Sequence, residues 1–204
     1  MLDSEAMGGA IRPVPSRPFA WGLPALTDLV IEPAPPKDSG GDLRATTGWA
    51  SLGRFTWRCA LGRGGISADK VEGDGCTPAG RFPIRRLFYR PDRVRGIACR
   101  FPLQPISPSD GWCDDPADAA YNRLVTRPYP ARHETLWRED QLYDLILVIG
   151  HNDAPVVPGK GSAVFLHLAS PDYRPTEGCV AFKRSDFVVL LGALDDTTEI
   201  VIPA

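Results

Sequence analysis

Long apolar runs are missing from this chain. No window of about 18 consecutive apolar residues occurs, which excludes a membrane-spanning helix. The opening stretch, MLDSEAMGGAIRPVPSRPFAWGLPALTDLV, lacks a basic segment followed by an apolar one. No secretory leader is therefore legible, and either a cytoplasmic protein or one whose leader lies outside this chain is expected. Excess charge of one sign is missing too. Lysine and arginine number 23 against 25 aspartates and glutamates, and the pI is near 5.9. Scattered arginines offset by acids do not make the basic stripe of a nucleic-acid partner. None of the five cysteines, at 59, 76, 99, 113 and 179, belongs to a CxxC pair. Zinc-ribbon spacing is thus absent, and no metal or other cofactor is expected. The odd count leaves at least one thiol unpaired within the chain. Cys99 and Cys113, fourteen residues apart, can pair in an oxidising compartment or stand as small buried thiols.

What is abundant is punctuation. Proline (21) and glycine (20) each make up about a tenth of the 204 residues, above average usage. Many turns and short strands follow, and the expected fold class is mainly β. Residues 1–27, rich in Pro, Gly and Ala without periodicity, read as an extended N-terminal arm. Residues 28–204 read as one domain, long enough to bury a sizeable core.

Within it, DLVIEP and the two halves of LRATTGWASLGRFTWRCALG predict short strands, the latter pair joined by a turn at SLG. PAPPKDSGGD (33–42) reads as a turn or flexible excursion. A glycine-rich loop, GRGGISADKVEGDGC, leads into a strand at GRFPIRRLFY. From Arg90 to Trp137 the chain is proline-punctuated and reads as irregular, which in a compact domain points to function. HETLWRED predicts a short helix. LYDLILVIG (142–150) and GSAVFLHLA (161–169) are continuous apolar strands, predicted to form an antiparallel pair across a turn-rich link. The clearest helix is capped by Ser185, with Asp186 in its first turn and Phe187, Leu190, Leu191 and Leu194 at helical spacing. TTEIVI closes the chain as a strand.

The chemistry concentrates near the C-terminus, in VFLHLASPDYRPTEGCVAF (164–182). His167 sits inside an apolar strand, and Cys179 follows Gly178 twelve residues later. A cysteine nucleophile needs a base or cation beside it and N–H donors for the developing oxyanion. Glycine before the cysteine permits a tight turn and close substrate approach. Taken singly, each residue is equally an ordinary core side chain.

The wider pattern resembles the L,D-transpeptidase catalytic domain, the YkuD family. His167 matches its strand histidine, Thr176 its Ser/Thr position, Gly178 its glycine and Cys179 its nucleophile. GDGCTPAGRFPI (73–84) is similar to the family's Thr-Pro entry, here Thr77, Pro78, Gly80 and Phe82. The resemblance spans about Asp42 to the C-terminus, with the middle loop poorly matched. Two departures stand out: Glu177 replaces the usual second histidine, giving TEGC, and Ala181 stands where Arg or Asn is common. The resemblance implies a YkuD-like β-sandwich with one or two short helices, and residues 28–204 as the catalytic domain.

It also implies cysteine-dependent cross-linking of peptidoglycan stem peptides through a thioester, in a branch associated with L-alanine-to-diaminopimelate links. Donor and acceptor stem peptides are the implied partners, carbapenem-type inhibitors the implied ligands, and the periplasm or cell envelope the implied location. The alternatives are a carboxypeptidase or endopeptidase on the same substrates, or a binding module without catalysis. Further substrate-binding candidates are His151 at a strand end, Glu177, and the pair Tyr173 and Arg174, whose guanidinium can hold a carboxylate. Trp112, Asp114, Asp115, Tyr121 and Asn122 are read as a covering loop, and His133 as a surface residue. A metal site from His151, His167 and Cys179 has no matching zinc spacing.

Overall fold

A computed structural model describes residues 28–35 and 45–204. The N-terminal arm and most of the PAPPKDSGGD excursion lie outside the described residues. The chain runs β1 (Leu29–Pro33), β2 (Thr47–Leu52), β3 (Phe55–Ala60), β4 (Ile66–Ser67), β5 (Thr77–Pro78), β6 (Gly80–Tyr89), β7 (Leu103–Pro105), β8 (Asp110–Cys113), β9 (Leu124–Thr126), β10 (His133–Thr135), β11 (Leu145–Ile149), β12 (Phe165–Leu168), β13 (Val180–Phe182), α1 (Arg184–Ala193) and β14 (Glu199–Ile202). The fold is mainly β, as the sequence predicts.

Nine strands form one sheet in the order β11-β12-β13-β3-β2-β1-β14-β6-β7, and β11 also pairs with β6. The long strand β6 makes this closure possible. Its first half, Gly80 to Pro83, pairs with β14, and its second half, Ile84 to Tyr89, pairs with β11. The sheet therefore rolls back on itself around a core of Leu29, Ile31, Leu61, Leu87, Leu145, Leu147, Leu166, Val180, Phe182 and Ile202, closed by Phe187, Leu190 and Leu191 of α1. The predicted β11–β12 pairing is antiparallel, as expected, with Ile146 opposite His167.

β11 and β12 are apolar on both faces because each face has its own cover. Leu145, Leu147, Ile149, Leu166 and Leu168 turn toward the main core. Ile146, Val148 and Phe165 turn the other way, into a second cluster with Phe88, Ile106, Leu136, Tyr143 and Cys179. Period-two alternation then places His167 on the same side as Phe165.

The second cluster is roofed by a feature that the sequence does not announce. The Arg90–Trp137 region is not irregular throughout: β8, β9 and β10 form a separate antiparallel sheet in the order β10-β8-β9. The predicted HETLWRED helix is replaced by β10, with His133 opposite Cys113 and Thr135 opposite Gly111. Strands of three or four residues, broken by Pro105, Pro108, Pro116, Pro128 and Pro130, are too short to show a period. The C-terminal helix also starts earlier than predicted. Lys183 is its N-cap, no side chain caps it, and Ser185 lies inside the first turn. No disulfide joins any of the five cysteines, so Cys99 and Cys113 are not bridged. No helix among the described residues is long and apolar enough to cross a membrane.

An ionic knot fixes the segment that leads into β11. Asp144, 1% exposed, accepts from Arg93 at 3.2 Å and from Arg184 at the start of α1. Arg90 lies flat on Trp137, 3.6 Å from the ring centroid, and donates to the Arg138 carbonyl at 2.6 Å. Replacing Asp144 with alanine leaves the partly exposed Arg93 and Arg184 guanidiniums without their shared acceptor and opens a cavity where the carboxylate was. Urea denaturation of Asp144→Ala is expected to show a loss of about 3 kcal/mol. A loss below about 0.5 kcal/mol would show that the knot is solvated.

Candidate active site

A cavity of about 720 Å³ has both Cys179 and His167 in its wall. Their shared orientation follows from register. β12 and β13 run parallel with Leu166 beside Val180 and His167 beside Ala181. Val180 and Phe182 turn to the main core, so Cys179 and Ala181 face the cavity with His167. Ala181 leaves this stretch of wall without a side-chain donor.

Cys179 is held by a turn in which two distant motifs meet. The Thr176 hydroxyl donates to the Cys179 carbonyl at 2.6 Å and accepts from the Gly178 N–H at 3.2 Å. Thr77 of the Thr-Pro segment reaches the same carbonyl at 3.5 Å, while its oxygen accepts from the Gly62 N–H at 2.8 Å. Gly178 has φ of +133°, and a Cβ there would stand 2.7 Å from the Cys76 carbonyl oxygen. Both the backbone angle and the close approach require glycine. The second cysteine thus matters through its carbonyl, not its thiol.

The thiol itself is buried. It donates to the Ala163 carbonyl at 3.2 Å and accepts from the Phe165 N–H at 3.3 Å. Burial, then the nearby Glu134 carboxylate, push its pKa up to about 12 from 9.0. His167 is also buried, and desolvation lowers its pKa from 6.5 to about 4. Its Nδ1–H donates to the Leu168 carbonyl at 2.9 Å, which leaves Nε2 as the basic nitrogen. The ring is braced edge-on by Tyr143, at 5.1 Å between centroids, and the Tyr143 hydroxyl donates to Glu134 at 2.7 Å. Both groups are therefore neutral at pH 7, a thiol and an imidazole rather than an ion pair.

The remaining candidates divide into three groups. Thr176, Glu177 and Arg174 line the same cavity. Glu177 points outward at its rim, with a side chain 78% exposed and paired to Arg63 at 2.8 Å. Arg174 is an exposed arginine beside Asp172. Tyr173 lies outside the cavity, where its ring stacks beneath the Arg58 guanidinium at 4.4 Å. His151, Trp112 and Asn122 line the second cavity, about 260 Å³, on the far side of Phe165. His151 donates to, or accepts from, no catalytic partner there: its Nε2 meets the Lys160 carbonyl at 3.1 Å, and its ring packs on Phe82. His151, His167 and Cys179 accordingly do not converge as metal ligands would.

Asn122 turns out to be a strut rather than a cover. Its Oδ1 accepts from Trp112 Nε1 at 2.9 Å and from the Ala163 N–H at 3.1 Å. Its Nδ2 donates to the carbonyls of His151 and Asn152, at 3.0 and 2.8 Å. Asn122 and Ala163 both have positive φ, 57° and 51°, and the Ala163 carbonyl is the one that accepts the thiol's hydrogen bond. Tyr121 has a similar function: its hydroxyl reaches Glu72 at 2.5 Å, and Glu72 also accepts from Ser162 at 2.7 Å. Sequence alone could not find Lys70, Glu72, Glu134 or Tyr143 as cavity residues, because each stands in a segment without a motif.

Fold and cavity describe a mainly β domain with a large polar cleft and a thiol in its wall. Residues 45–202 match the family model described as the L,D-transpeptidase catalytic domain, YkuD, and the chain belongs to that family. This family acts on peptidoglycan peptides. No curated protein and no solved structure gives a significant match.

Two outcomes test this geometry. Gly178→Ala is expected to lose thiol accessibility and to destabilise the domain by about 2 kcal/mol, measured by urea unfolding, because the Cβ meets backbone rather than a movable side chain. The second concerns acid. Between pH 6.5 and 4 the unfolded chain protonates His167 while the folded one does not, so stability falls as pH drops through that window. The His167 contribution reaches about 3 kcal/mol below pH 4. Unfolding of His167→Gln followed from pH 7 to 4 should show a shallower decline than the parent; parallel declines would refute a buried neutral imidazole.

Proposed function

We propose that the chain is a cysteine-dependent L,D-transpeptidase that joins peptidoglycan stem peptides through a thioester on Cys179. The observation that carries this is the placement of a buried thiol and a buried imidazole on one face of neighbouring parallel strands, opening on one cavity. Membership of the YkuD family supplies the substrate class.

In the first half-reaction the Cys179 sulfur attacks the carbonyl that follows an L-centre of the donor stem. Its proton passes to Nε2 of His167 as the bond forms, since the neutral pair holds no thiolate in advance. The tetrahedral adduct collapses, the C–N bond breaks, and imidazolium returns the proton to the leaving amine. A thioester remains. In the second half-reaction the amine of an acceptor stem's diaminopimelate attacks the thioester and His167 takes its proton. Collapse expels the Cys179 sulfur, which is reprotonated. The Cys179 amide is the main-chain donor offered to the oxyanion, because the Gly178 N–H is committed to Thr176.

Tyr143 and Glu134 hold the imidazole ring, and Asn122 holds the Ala163 carbonyl opposite the sulfur. Arg174 at the mouth is placed to receive a stem carboxylate, and Glu177 to meet an ammonium. A cell-envelope location follows from this substrate. Bonds from L-alanine to diaminopimelate are the cross-link we propose.

Muropeptide analysis after expression in a host without such enzymes is the test, with intact mass in the presence of a carbapenem beside it. Cross-links and an adduct at Cys179 are expected from the parent chain, and neither from Cys179→Ala. His167→Gln is expected to slow acylation by about 10² to 10⁴-fold. Shortened stems without cross-links would identify water as the acceptor, and cross-links made by Cys179→Ala would remove the nucleophile assignment.

A further inference from the structure

The TEGC turn leaves an electrostatic gap. A tetrahedral adduct on Cys179 places a negative oxygen beside the Gly178–Cys179 turn, where it needs donors in a site sheltered from water. The Gly178 N–H already serves Thr176, and Glu177 carries the wrong charge and points out to Arg63. Beside the Cys179 N–H, a second donor must come from elsewhere in the fold.

Four basic side chains line the cavity: Lys70, Arg132, Arg138 and Arg174. Arg132 donates to Asp114 at 3.0 Å, and its side chain is 60% exposed. Arg138 is forked onto Asp140 through both Nε and Nη2. Arg174 is 73% exposed. Lys70 differs from all three, since its side chain is only 8% exposed. Its ammonium stands against the turn, with Nζ 3.5 Å from the position of a Cβ on Gly178. Two of its three protons are accounted for, one by Asp74 Oδ1 and one by the Val71 carbonyl at 3.1 Å. An ammonium has three donors, so one remains.

The Asp74 carboxylate that holds Lys70 is itself well fixed. Burial alone would raise its pKa, but hydrogen bonds from Lys70 and from the Val71 and Cys76 amides outweigh that and lower it. Lys70 is therefore anchored by Asp74 and the Val71 carbonyl rather than swinging on a flexible stem. The field of its charge also reaches the sulfur, where it opposes the upward push of burial and Glu134.

We propose that Lys70 is a catalytic residue of the acyl transfer: its third N–H donates to the oxyanion formed on Cys179. This rests on the transpeptidase reading above. No covalent role is involved, and the lysine proton stays on nitrogen throughout.

The test compares the parent chain with Lys70→Met, Lys70→Arg and Lys70→Gln, using a carbapenem as acylating probe and iodoacetamide as a probe that needs no acyl transfer. For Lys70→Met the acylation rate is expected to fall about 100-fold. The concentration giving half-maximal rate should stay within about twofold, as for an interaction made only in the transition state. Lys70→Arg should recover part of that loss, and peptide-mapped alkylation of Cys179 should slow about three- to tenfold in Lys70→Met, corresponding to a thiol pKa shift of up to about one unit. An acylation rate within threefold of the parent overturns the proposal while leaving the transpeptidase reading intact. So does a loss that comes entirely from weaker binding, or alkylation at the parent rate. If Lys70→Met does not fold by circular dichroism, Lys70→Gln decides on the same criteria. A parent chain that forms no adduct at Cys179 defeats the transpeptidase reading, and this proposal with it.

Discussion

Burial of β11 and β12 on both faces is the constraint on which the site depends. A half-exposed strand would turn one side to water, and a cavity there could not keep a thiol and an imidazole dry. Here the small β10-β8-β9 sheet and the loops around it cover the outer face. Period-two geometry then does the sorting. Leu166, Leu168, Val180 and Phe182 are committed to the main core, so His167, Cys179 and Ala181 have only the cavity to face. Any one-residue slip of β13 against β12 would exchange those two sets. The clasp of Thr176 and Thr77 on the Cys179 carbonyl stands where such a slip would begin.

Burial sets the electrostatics. Desolvation makes both partners neutral, raising the thiol and lowering the imidazole. Attack must then create charge in a medium that solvates it poorly, and the cost is met by whatever fixed dipoles and cations the walls provide. The charged groups that remain at the rim, Arg63 with Glu177 and Arg174 with Asp172, are exposed and contribute little to stability. The buried ones, Lys70 with Asp74 and Asp144 with its arginines, hold loops in place. Position in the fold, rather than charge, separates the functional ions from the solvated ones.

Backbone strain follows the same logic. Ala163 and Gly178, beside the thiol, and Asn122 and Asn152, in the network that braces Ala163, all adopt positive φ. Asparagine tolerates that region, alanine does not readily, and Ala163 is kept there by the Asn122 amide. The network ties the middle loop to the β11–β12 link through Asn122 and Trp112, while Asp114 of the same loop lines the main cavity. Trp112 takes part in the same network while packing edge-on against Phe165, the residue whose N–H meets the sulfur.

Sequence alone determined the mainly β class, the pairing of the two apolar strands, the C-terminal helix and the family, because each rests on local pattern or on a motif at fixed spacing. It also placed His167, Gly178 and Cys179 together, since twelve residues between a strand and a glycine turn leave little freedom. It could not show the roofing sheet, whose strands are shorter than any detectable period. It misjudged HETLWRED, where helix-forming residues yield to ladder bonds with β8. Nor could it find Lys70, Glu72, Glu134, Tyr143 or the strut Asn122. Those side chains come from four separate segments and meet only when the sheet rolls closed through β6. Burial, and with it every shifted pKa and every spare donor, is a property of that closure, and no single stretch of chain carries it.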